Sequence, residues 1–322
     1  MKAYRDIGIS LLLCLLTTGC GDKRERVELD EGNAVYYWRT DLRLDSTERA
    51  FLDAYHIKKV YCRYFDVVMK DGSAEPMPNA TIEFSDTLPD SLEIIPTVYI
   101  TEDCMHQSHK GLAEKIVKRI LQMNETNGIG PVREIQMDCD YTNRSRKTYY
   151  QFLEEVSGKW KEESGKWKEE SGKWKEESGK WKEESGKWNE ERGKISTTIR
   201  LHQLSMAPPP VDYGVLMVYN TGSPAKWKER NPILDIRDVA PYLNRLDDYP
   251  LPLAAAYPVY LWVRNIQGLR VEHEVEAEEI LRVKHAVEDA RSDLSRSIVT
   301  YHLDKDNINR YNPQTYEEIY HH

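Results

Sequence analysis

The sequence predicts an α/β fold, an irregular (β/α)8 TIM-like barrel with a helix protruding between its fourth and fifth strands. Three observations predict it. Segments rich in β-branched and aromatic residues alternate with helical patterns along most of the chain, the order that builds a parallel sheet with covering helices. Eight such strand segments occur, the number that closes a barrel. The heptad SGKWKEE, unbroken from Ser157 to Glu184 with a fifth copy, SGKWNEE, at Ser185–Glu191, falls between the fourth and the fifth of them.

Taken in order, Ala34–Thr40 (AVYYWRT) reads as the first strand. Asp45-Ser46-Thr47-Glu48 then opens a helix with a capping signature. Lys59–Val68 is the second strand and Leu92–Ile100 the third. In Gly111–Asn124 the residues Leu112, Ile116, Ile120 and Met123 share one helical face. Glu134–Asp140 (EIQMDCD) is the fourth strand, with a helix from Arg144 behind it. Ile195–Leu201, Gly214–Tyr219 and Leu253–Val263 supply strands five to seven. Glu274–Arg291 is a long amphipathic helix, Ser297–Leu303 the eighth strand, and Pro313–Tyr320 a short closing helix. The connections between strands two and three and between six and seven carry little helical pattern, which makes the barrel irregular.

The repeat extends a stripe already present. Tyr149, Phe152, Leu153 and Val156 fall at i, i+3, i+4 and i+7, and Trp160 continues them. A heptad drifts such a stripe by only ~20°, so copies add without turning the flanking strands out of register. Glu162→Lys166 and its equivalents are favourable i,i+4 pairs worth ~0.2–0.5 kcal/mol each, against ~1 kcal/mol for each glycine. A coiled coil needs two apolar seams and this heptad offers only Trp, while its Glu pair cancels the basic charge that a membrane face needs. The repeat reads as a tolerated expansion in a protruding, marginal helix, with a spacer or partner surface, or a membrane contact, as the alternatives.

Net charge is −9 over 322 residues, which argues against a nucleic-acid partner. Twenty tyrosines against four phenylalanines suit a surface that stacks on sugars. Lys2 and Arg5, the apolar run Ile7–Leu16 and Thr17-Thr18-Gly19-Cys20 have the layout of a secretory signal. The end of that run resembles the lipobox of bacterial lipoproteins, with Thr17 where a Leu is usual. The resemblance implies lipidation at Cys20, a membrane partner through the lipid anchor, and a place in the bacterial cell envelope. The expected organisation is a signal peptide over 1–19, a tether over 20–33 and a barrel over 34–322, interrupted by the repeat insertion at 157–194. Cys62, Cys104 and Cys139 remain, an odd set that forms no disulfide framework. Cys104, His106 and His109 lack a second ligand pair, so neither metal nor cofactor is expected.

In a barrel of this kind the working residues sit at the C-terminal strand ends. Gln136, Asp138 and Asp140 share the inward face of strand four, and two carboxylates so close would split their pKa values, an arrangement fit for acid/base catalysis. The plainer reading is a structural pair holding Arg200 or Arg63. Thr198, Arg200 and His202 share a face of strand five, Met217 and Tyr219 of strand six with Asn220 following, and Tyr36 and Trp38 of strand one. Trp262 ends strand seven, and His302 with Asp304 ends strand eight. Together they describe a cup for a polyhydroxylated ligand such as an oligo- or polysaccharide, with rings to stack and polar groups for the hydroxyls.

Asp138-Cys-Asp140, Met217-Val-Tyr219-Asn220 and a late Trp resemble the strand ends of chitinase-type (family 18) glycoside hydrolases. Those show DxxDxDxE on strand four and M-x-Y-D on strand six. The resemblance implies a TIM barrel and glycan hydrolysis with Asp138 and Asp140 as catalytic groups. Two departures stand against it: Thr142 occupies the acid position, and Asn220 replaces the family's Asp. The phrases EIQMDCDYT, STTIRLHQL, PPPVDYGVLMVYN and YPVYLW resemble a group of bacterial lipoproteins with a glycosidase-like barrel, a likeness that implies fold and location but no reaction. Two functions follow: a glycoside hydrolase acting through Asp138 and Asp140, or a non-catalytic glycan-binding or envelope scaffold lipoprotein that has lost its acid.

Overall fold

A computed structural model describes residue 29 and residues 32–89, 91–130, 132–178, 193–266 and 269–321. The signal-like segment and Cys20 lie outside the described residues, as does the repeat from 179 to 192. Eight parallel strands close on themselves: β1 (Gly32–Tyr37), β2 (Ile57–Val68), β3 (Glu93–Ile100), β4 (Glu134–Asp138), β5 (Lys194–Arg200), β6 (Tyr213–Met217), β7 (Leu253–Pro258) and β8 (Ser297–Tyr301). Each pairs with its neighbour in sequence, and β1 pairs with both β8 and β2, so the ring has no free edge. The expected TIM-like (β/α)8 barrel is the observed one.

The covering helices are α1 (Ser46–Ala54), α2 (Leu112–Thr126), α3 (Arg146–Ser178), α4 (Ile236–Leu243), α5 (Ala277–Ala290) and α6 (Pro313–Tyr320). The capping signature of α1 is realised in both directions: Glu48 N–H donates to Asp45 and Asp45 N–H to Glu48. The stripe on α3 is buried at Tyr149, Phe152, Leu153 and Val156 and again at Trp160, the first repeat tryptophan.

Two connections depart from expectation. α4 lies between β6 and β7, where little helical pattern was visible; Asp235 caps it by accepting from Arg237 N–H, and Pro241 sits inside it. The seventh strand stops at Pro258, and Trp262–Ile266 pairs antiparallel with Leu269–His273 as a hairpin outside the barrel. Trp262 therefore belongs to the hairpin and does not end a barrel strand. Arg291, fully buried, secures the approach to β7 by donating to the carbonyls of Leu246, Tyr249 and Leu251.

At the foot of the barrel the insertion has a defined base. Gly193 N–H donates to the Arg133 carbonyl just before β4 (3.0 Å). A Cβ on Gly193, whose φ is +86°, would lie 3.2 Å from both Lys161 Cγ and Ser164 Oγ of α3. The points between which residues 165–192 run are thus in contact, and a residue other than glycine would be strained there.

Candidate functional site

Alternation along β4 points Glu134, Gln136 and Asp138 into the barrel, as expected. Gln136 accepts from Tyr36 OH (2.9 Å) and donates to Ser196 Oγ (3.3 Å) in mid-barrel. Asp138, 2% exposed, accepts from Thr198 Oγ1 (2.6 Å) on β5. Burial pushes its carboxyl up to about 6 against the pull of Arg200, with Asp140 adding to the rise.

Two residues further on, Asp140 stands at the mouth with its side chain half exposed, and Arg200 Nε donates to it. The guanidinium also lies 5.8 Å from the centre of the Tyr219 ring. The charge pair on strands four and five is therefore Asp140–Arg200. A second pair, Arg63–Asp66 (Nε to Oδ1, 2.7 Å), flanks it from β2, with Arg63 placed 5.5 Å over the Trp38 ring.

A cleft of about 290 Å³ opens here. Asp140, Arg200 and Leu201 form one wall, His202 follows them, and Met217, Tyr219, Asn220, Thr221 and Tyr242 form the other. Of the residues singled out from sequence, Asp140, Arg200, His202, Tyr219 and Asn220 meet in this cleft. Asp138 is buried and does not reach its wall. Trp38 sits on the mouth's aromatic floor, 5.7 Å from Tyr301 and 6.5 Å from Tyr99 between ring centres.

His302 is not in the cup. It faces Asn307, whose amide is 3.3 Å from Nε2, and burial lowers its pKa. Its neighbour Tyr301 turns inward instead, stacked on Tyr219 (4.8 Å) and edge-on to Tyr260 (5.4 Å). The period of two explains the exchange: Val299 and Tyr301 share the inner face of β8, while Thr300 bonds Tyr320 of the outer helix α6 (2.6 Å). Trp262 is likewise displaced, its ring 6.5 Å from that of Tyr260, and it is Tyr260 that donates to Asn220 Oδ1. Tyr260 and Tyr301, which sequence reasoning passed over, support the cleft from behind, one holding Asn220 and the other stacked on Tyr219.

Thr142, where the family 18 resemblance would place an acid, is bonded to a carboxylate from another strand end. Thr142 Oγ1 donates to Glu102 (2.6 Å), and Ser145 Oγ to the same oxygen (2.8 Å). These hydrogen bonds, led by that from Thr142, hold the Glu102 carboxyl below its ordinary range. A carboxylate so held does not give up a proton to a leaving group at neutral pH. Among the described residues no cluster of metal-ligating side chains occurs, and Cys62, Cys104 and Cys139 are buried free thiols.

No family model and no curated protein matches the sequence. Among solved structures, a chitinase from Bacteroides thetaiotaomicron superposes with a TM-score of 0.50 at 10% identity, covering 90% of this chain and 97% of its own. The spore cortex-lytic enzyme SleL of Bacillus cereus gives 0.49 at 13% identity, over 91% of this chain and 74% of that one. A family 18 chitinase catalytic domain from the fern Peteris ryukyuensis gives 0.46 at 9% identity, over 89% and 97%. The likeness to the Bacteroides chitinase is one of fold: the chain carries a glycosidase-like barrel.

Proposed function

We propose that this protein binds a glycan in the mouth cleft without hydrolysing it. The ion pair between Asp140 and Arg200 carries the reading. Hydrolysis needs a carboxyl free to protonate the leaving oxygen, whether a second carboxyl or the substrate's own acyl group supports the sugar. Asp140 is engaged by the guanidinium, Asp138 is shut beneath the surface, and the acid position holds a threonine. Binding elements remain: Asn220, Thr221 and His202 offer polar contacts, and Tyr219, backed by Tyr301, lines the same cleft. The mouth of a TIM barrel is where such ligands sit.

The test is calorimetric titration of the purified protein with oligosaccharides of the chitin and peptidoglycan types and with acidic and neutral polysaccharide fragments. Each mixture is then incubated for a day and assayed for new reducing ends. Binding with no product is expected. Product that disappears in Asp140→Asn would restore the hydrolase reading.

We further infer that Cys20 is lipidated and tethers the protein in the bacterial cell envelope. The support is the basic start, the apolar run and the small residues before Cys20. Metabolic labelling with an alkyne-palmitate should mark the protein and fail on Cys20→Ala; equal labelling of both would remove the anchor.

A further inference from the structure

Polar groups around the cleft are unequally divided between donors and acceptors. Asn220 spends its carbonyl oxygen on the Tyr260 hydroxyl, which leaves its amide N–H groups to donate. Thr221 Oγ1 accepts from Asp235 N–H (3.3 Å), which leaves its proton to donate. Tyr219 and Arg200 line the cleft, and just behind its surface the Tyr219 hydroxyl and Nη1 of Arg200 are buried with no partner. The one carboxylate on the wall, Asp140, is spent on Arg200. The loop that departs at Thr221 also carries the exposed Lys226 and Lys228, with the exposed Glu229 beside them.

A wall of unspent donors around a guanidinium suits a ligand rich in acceptors, and a half-exposed aspartate on that guanidinium occupies the place a ligand carboxylate would take. We propose that the cleft is selective for an acidic glycan built of hexuronate units, one carboxylate of which displaces Asp140 from Arg200. This rests on the glycan-binding reading above and adds the class of sugar. Asp140 becomes an internal competitor: it keeps the partly buried guanidinium paired while the cleft is empty and yields to the ligand.

This predicts a sign opposite to that of a residue which holds or cleaves sugar. The probes are short oligomers of galacturonate, mannuronate and glucuronate, each beside its carboxyl-reduced neutral counterpart, titrated into wild type and Asp140→Asn. At least one acidic series should bind, with its reduced counterpart at least tenfold weaker, and rising ionic strength should weaken the acidic ligand alone. Asp140→Asn should tighten that ligand about tenfold, since a competing like charge is gone. Asp140 is half exposed, so the variant folds; its thermal midpoint serves as the control. Equal or tighter binding of the reduced oligomers, or weaker acidic binding in Asp140→Asn, would overturn selectivity for acidic sugars and leave glycan binding standing. No binding by either series in any buffer, with the neutral glycans also inert, would overturn both.

Discussion

Glu134 and Asp138 stand on the same face of one strand, four residues apart, and each is 2% exposed. At the foot of the barrel Glu134 accepts from Ser196 Oγ (2.5 Å) and Tyr213 OH (2.6 Å), and Tyr213 is joined to Tyr61. Its direct partners are neutral hydroxyls. At the mouth Asp138 has one hydroxyl, Thr198, and otherwise feels Arg200, Asp140 and Asp66. Burial raises the pKa of both. The charges that Glu134 feels, Lys59 and Glu93, do not line the cleft, so a carboxyl bonded by these hydroxyls changes little when a ligand arrives there. A carboxyl among opposed charges sits in a field that moves whenever one of them is displaced. Depth along a single strand separates the structural acid from the responsive one.

The largest effect that would break this distinction is on stability. Glu134→Ala opens a cavity and takes one partner each from the Ser196 and Tyr213 hydroxyls, which keep Gln136 and Tyr61, and should cost about 3 kcal/mol in urea denaturation. A loss below ~1 kcal/mol would show the foot network to be dispensable. Next in size is the pH response of Asp138. Its folded carboxyl titrates near 6 and its unfolded one near the ordinary 3.8, so the folded state holds the proton more tightly. That contribution is present in full below about pH 4 and is lost as pH rises through about 6. Asp138→Asn should remove the slope, gaining on wild type in thermal midpoint between pH 4 and pH 7; a parallel pair of curves would take Asp138 out of the responsive class. The smallest effect is expected from Thr142→Glu. Restoring a carboxyl at the acid position should yield no detectable hydrolysis, because Asp140 stays on Arg200, and measurable product would show the pair to be open in solution.

Much of the barrel was legible because its physics is local. Period-two alternation in Glu134–Asp138 and Lys194–Arg200 places Gln136, Asp138, Thr198 and Arg200 inward from sequence alone. Helical periodicity gave α2 and the stripe on α3. What escaped depended on partners far away in the chain. α4 is an exception: Asp235 caps it and Ile236, Val239 and Leu243 share a face, and it escaped because it is only eight residues long and contains Pro241. The run Val259–Val263 keeps a strand-like composition after its backbone has left the barrel. His302 attracted attention for its chemistry, yet counting by twos from Val299 selects Tyr301. The partners of Asp140 and Thr142, Arg200 sixty residues away and Glu102 forty away, are set by closure of the barrel, which no local pattern announces.

The contact between Ser164 and Gly193 bears on how this gene can change. Identical heptads invite slippage during replication, which adds or deletes coding sequence in blocks of seven residues. Since the take-off and landing points already touch at the end of the barrel remote from the ligand, each such event alters only the length of the excursion. Lineages differing in copy number would keep one binding specificity, and variation there would accumulate as tolerated polymorphism.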